Sequence, residues 1–91
     1  MTIIASFNKD PDEVLDYTVD WVAWLDDDTI TSSSWTVPAG VTQESSNFTS
    51  TTATVWVSGG TDGTDYRCTN TVTTTAGRTA QRVIVIRLGE R

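Results

Sequence analysis

Few residues in this sequence are of a type that does chemistry. There is no histidine, so the commonest general base and the usual nitrogen ligand of zinc are missing. The one cysteine, Cys68, has no evident base beside it in the sequence and falls on the inward parity of a strand, where a thiol behaves as a small core residue. Acids gather at Asp10-x-Asp12-Glu13 and at Asp26-Asp27-Asp28. Calcium takes roughly six to eight hard oxygens, but neither spacing is that of a calcium loop, and the triple Asp serves equally as a strand-ending turn. Paired carboxylates for sugar hydrolysis would need a deep cleft, for which a chain of 91 residues has little room. Gly59-Gly60 lacks the Lys and the helix of a phosphate loop and marks a turn. No catalytic residue, metal site or cofactor is expected, which leaves binding or assembly.

The net charge of −6 argues against nucleic acid as a partner, because phosphate binding needs a basic face. The charges are also sorted along the chain. Asp10, Asp12, Glu13, Asp16, Asp20, Asp26, Asp27 and Asp28 crowd the first third, and Arg67, Arg78, Arg82, Arg87 and Arg91 the last. These are either two solvated faces or an acidic end that meets the basic end of a neighbouring subunit in a symmetric multi-copy assembly. No apolar run approaches the roughly 20 residues of a membrane span, and Met1–Asn8 does not read as a secretion signal. With a lone cysteine, synthesis in a reducing cytoplasm is expected.

Alternation carries the strand pattern. From Leu15, the odd positions Leu15, Tyr17, Val19, Trp21, Ala23 and Leu25 suit a core, while Asp16, Thr18 and Asp20 suit water. Val22 and Trp24 break that polar face before the triple Asp ends the strand. Ser34–Val37 presents Trp35 and Val37 on one face ahead of the Pro38-Ala39-Gly40 turn. Phe48–Ser58 is extended, with Ala53, Val55 and Val57 on one parity and Thr54 and Trp56 on the other. After the Gly59–Gly63 turn cluster, Tyr66–Thr75 sets Tyr66, Cys68, Asn70 and Val72 against Arg67, Thr69, Thr71 and Thr73. Thr79–Leu88 follows the Ala76-Gly77-Arg78 hairpin, with Ile84, Ile86 and Leu88 opposed to Val83, Val85 and Arg87. With an opening strand at Ile3–Phe7, about seven strands are expected, and no helix beyond one turn within Asp10–Asp16.

This is the pattern of an all-β, immunoglobulin-like antiparallel β-sandwich without a disulfide. Residues 13–91 make the single domain, and residues 1–12 an N-terminal arm with the opening strand, which either folds against the domain or reaches into a neighbour. Gly63-Thr64-Asp65-Tyr66-Arg67-Cys68 has the form in which a Tyr two residues before the Cys position bonds back to the preceding corner, although an ordinary strand aromatic is the alternative. The partner Cys is missing, so packing of Trp21 and Trp35 takes its place. Trp21, Trp35 and Tyr66 are therefore the fold-defining residues.

Trp24 and Trp56 lie on otherwise polar parities, and Val83 and Val85 on an outward one. Large outward aromatics mark interfaces, while a strand bulge would return Trp24 to the core. Together with the charged residues, the interface candidates are Asp10, Asp12, Asp16, Asp20, Trp24, Trp56, Arg78, Arg82, Val83, Val85 and Arg87.

The succession Lys9-Asp10-Pro11-Asp12, Val14-Leu15-Asp16-Tyr17, Asp20-Trp21 with Trp24-Leu25, Ser34-Trp35-Thr36-Val37, Thr54-Val55-Trp56-Val57-Ser58-Gly59-Gly60 and Arg78-Thr79 resembles small tailed-phage proteins described as immunoglobulin-like fiber–tail adaptors. The resemblance runs from Phe7 to Arg91; no single motif in it is specific alone. Members more commonly carry a hydrophobic residue or Thr at the position of Cys68, so it implies no role for that thiol. It implies a virion structural protein, made in the host cytoplasm, that joins tail or neck to fibers or other tail parts. A capsid decoration protein and a module binding host-surface carbohydrate are the alternatives.

Overall fold

The alternating segments pair into two sheets in the computed structural model, which describes residues 2–10 and 13–89. The strands are β1 (Thr2–Lys9), β2 (Leu15–Asp20), β3 (Ile30–Thr36), β4 (Val41–Phe48), β5 (Thr52–Gly59), β6 (Asp65–Thr74) and β7 (Thr79–Leu88), with one helical turn, α1 (Val22–Leu25), between β2 and β3. One sheet runs β1-β7-β6-β3 and the other β2-β5-β4. The expected antiparallel pairing holds except at the start of the chain: β1 lies parallel to β7, from Thr2 opposite Arg82 to Lys9 opposite Leu88. Strand β6 pairs along one side of β7, and β1 takes the other.

Inward residues of both sheets meet in one core. Tyr17, Val19, Ala53, Val55 and Val57 come from the three-stranded sheet, and Cys68, Val72, Ile84, Ile86 and Leu88 from the four-stranded one. Burying each large side chain contributes about 1.5–3 kcal/mol, which is how Thr-rich strands with few apolar residues still make a fold. Burial pushes the Cys68 thiol up to about 11, so at neutral pH it is a packed, protonated core group. Tyr66 is buried with its hydroxyl accepting the Thr61 N–H at 3.0 Å. Gly40 makes room for it: a Cβ there would lie 2.8 Å from the Tyr66 ring, and its φ of 107° is one that L side chains avoid.

Two sequence expectations are corrected, and one strand is added. The strand beginning at Leu15 stops at Asp20 and turns into α1, where Leu25 N–H reaches the Trp21 carbonyl at 2.9 Å and Asp20 Oδ1 accepts the Val22 N–H. Val22 and Trp24 therefore sit on no strand face. A helical turn puts Trp21, Trp24 and Leu25 on one side, which is why the alternation fails at Val22. Strand β4 was not evident, because Thr-Gln-Glu-Ser-Ser-Asn carries no period; it is an edge strand whose residues beyond Val41 are exposed, held by pairing to β5. Val83 and Val85, expected as outward apolar surface, are 4% and 8% exposed. Their strand lies between β1 and β6, so it is paired along both edges.

Candidate functional site

At one end of the sandwich, α1 brings two tryptophans together. The Trp21 and Trp24 rings meet edge to face at 5.2 Å. Trp21 is buried, and its indole N–H donates to Asn70 Oδ1 at 2.9 Å, while the Asn70 amide donates to Ser33 Oγ and the Ser34 carbonyl. Each ring carries an arginine. The Arg82 guanidinium carbon lies 4.3 Å from the Trp21 centroid, and that of Arg78 lies 4.2 Å from the Trp24 centroid. Arg78 also meets Asp28 at 3.1 Å and donates to the Trp24 and Leu25 carbonyls, closing the C-terminal end of α1. A hydrogen bond from the Thr74 side chain, with the Thr29 and Ala76 N–H groups and Arg78, outweighs desolvation and holds the Asp28 carboxyl down at about 2.

The outer face of the three-stranded sheet is different in kind. No Lys or Arg occurs in β2, β4 or β5, and Asp16, Asp20 and Glu44 are their charged residues. Hydroxyl pairs such as Thr18–Thr54, at 2.9 Å, knit the strands. In their midst stands Trp56, 38% exposed, opposite Asp16 on β2 and Ser45 on β4. The strands of the other sheet have the reverse balance, with Lys9, Arg67, Arg82 and Arg87 against a single acid, Asp65. Lys9 is buried and its ammonium donates to the Asp10 and Gly59 carbonyls; Arg82 is turned onto Trp21. Arg67 and Arg87 remain on the outer face, cross-strand from Val85 and Asp65, with Arg87 3.8 Å from the Asp65 carboxylate.

The interface candidates thus fall in separate places. Trp24, Arg78 and Arg82 belong to the packed end, Asp16, Asp20 and Trp56 to the acidic face, and Val83, Val85 and Arg87 to the opposite face. Asp10 sits in the turn after β1, where its N–H donates to Glu13 Oε1 at 2.9 Å; Asp12 lies outside the described residues. The charge contrast therefore runs between two sheet faces, and two arginines expected at a basic surface are used inside the chain. The interface candidates left out Arg67, Asp28 and Asn70. The outward parity of Arg67 was the available signal, whereas Asp28 and Asn70 take partners far away in sequence.

A family model described as "Podophage GP4 fiber-tail adaptor protein gp77" matches residues 9–87. No curated protein gives a significant match to the chain.

Proposed function

The chain belongs to the podophage GP4 fiber-tail adaptor (gp77) family, and from that premise we propose that it joins the tail or neck of the particle to fibers or other tail parts by protein–protein contacts. It is a structural adaptor of the bacteriophage tail, a virion component whose contacts are with other tail and fiber proteins. We further propose that it acts without catalysis, is made in the host cytoplasm, and stands in several symmetric copies. The observation that carries the reading is the family match across residues 9–87. The two sheet faces, opposite in charge, fit a part that docks on both sides.

The same proposal takes the fold as immunoglobulin-like. Strands β2-β5-β4 stand in the order B-E-D and β7-β6-β3 in the order G-F-C, with the first strand moved onto the last. The Tyr66 bond to the Thr61 N–H supports the same reading.

Antibody-gold labelling of phage particles tests the function. Label at tail or neck is the expected outcome. Label over the whole head would make the chain a decoration protein, and unlabelled particles would overturn the virion reading in favour of a glycan-binding one.

A further inference from the structure

Among the described residues, the tryptophans and arginines follow a rule with one exception on each side. Trp21 and Trp24 each lie under an arginine, and Trp35 is buried. Trp56 is exposed and carries no cation of its own chain among the described residues. Arg78 and Arg82 stack on rings, and Arg87 faces Asp65. Arg67 is exposed and has neither an ion pair nor a ring among the described residues.

The two exceptions stand on opposite outer faces, so they cannot meet within one molecule. We propose that Trp56 and Asp16 form the seat for the Arg67 guanidinium of a second copy, so that copies stack with the three-stranded sheet of one on the four-stranded sheet of the next. The inference rests on the multi-copy adaptor reading above and names the contact that would build it.

The chain itself contains the template. Arg78 lies over Trp24 while its guanidinium meets the Asp28 carboxylate, one cation satisfied by a ring face and an acid together. Trp56 and Asp16 present the same two groups as directly opposed cross-strand neighbours on one face. Charge favours a copy of this chain as the occupant: β2, β4 and β5 hold three acids and no cation, while Arg67 and Arg87 face outward from the other sheet beside Val85. A contact between two different faces is heterologous, so it closes into a ring or continues as a stack according to the rotation between copies.

The test uses the full chain and two variants, Trp56→Ala and Arg67→Glu, in sedimentation velocity across a wide concentration range. The wild type is expected to self-associate, more weakly as salt is raised. Each variant is expected to weaken that association about tenfold or more while keeping the wild-type circular dichroism and a cooperative melting transition. The decisive sample is a mixture. Trp56→Ala keeps the Arg67 face and Arg67→Glu keeps the Trp56 face, so together they form one good contact and stop at a pair. A wild type that stays monomeric throughout, or a mixture that behaves as the sum of its parts, overturns the proposal. Either result beside gold label on the tail leaves the adaptor reading standing. Self-association with unlabelled particles would sink the adaptor reading alone.

Discussion

The packed end of the sandwich and the outer face of its three-stranded sheet contain the same chemical parts, a tryptophan with an aspartate nearby. At the end, Arg78 comes from the turn before β7 and closes over Trp24 and Asp28, some 50 residues away in sequence. On the sheet face, Trp56 stands opposite Asp16 and Ser45, and no guanidinium lies over it among the described residues. Residue type therefore does not decide whether a Trp–Asp pair holds the fold or faces a partner. What decides is whether the topology brings a guanidinium over it. Breaking each pair in turn should separate stability from association.

The largest effect falls on Trp21. Trp21→Ala removes a buried ring and frees the Asn70 amide oxygen, and should cost about 3–5 kcal/mol in urea unfolding. Trp56→Ala should cost about 1 kcal/mol or less, because its ring is exposed and its strand keeps both neighbours. If the two variants unfold alike, the contrast between the regions fails. Asn70→Leu comes next. It leaves the Trp21 indole N–H and the Ser34 carbonyl without their partner in the core, at roughly 2–3 kcal/mol, and the loss should show in the same unfolding curves.

Much of this contrast was legible in the sequence, and the reasons for the rest are physical. Strand β7 was legible as a β-branched apolar run and buries both parities from Val83 to Ile86, whereas the alternation of Ala53, Val55 and Val57 follows from period-2 patterning in a strand paired on both sides. The inward set Tyr66, Cys68, Asn70 and Val72 was readable for the same reason. Strand β4 was not, because an edge strand that buries little besides Val41 need not alternate. The turn α1 was hidden by its brevity, with four residues too few to show a helical period. Among candidate contacts, Trp56 stood out by its parity. The contact between Trp24 and Arg78 was not legible, because it is long-range and pattern reasoning sees only neighbours.

A smaller effect separates the two arginines. Arg78→Ala removes a stacked cation, an ion pair and a cap on the α1 carbonyls, and should lower stability by about 1–2 kcal/mol, discounted because its side chain is 42% exposed. Arg67→Ala should fall within about 0.5 kcal/mol of wild type, as a surface residue with no ion pair or ring among the described residues does. Calorimetry on both variants sharpens the comparison: the arginine that matters to the fold is the one with a ring beneath it.

The smallest effect is read as a difference between two pH profiles. Asp28 titrates at about 2 in the folded chain against the ordinary carboxyl value of 3.8, so folding favours its charged form. Its contribution is fully present above the unfolded value and is lost as pH falls through the folded one. Between about pH 4 and 2 the wild type should therefore lose stability faster than Asp28→Asn, whose amide has nothing to protonate in that range. Above that window the wild type should be the more stable of the two, because the amide cannot replace the ion pair to Arg78 or accept as strongly from the Ala76 N–H. Urea midpoints measured at half-unit steps give both curves. Parallel curves would mean that the carboxylate is not held, and the template for the Trp56–Asp16 seat would lose its acid. Convergence toward pH 2 would show that ring, guanidinium and carboxylate act together at the packed end, the combination that Trp56 and Asp16 can complete only with an arginine from another molecule.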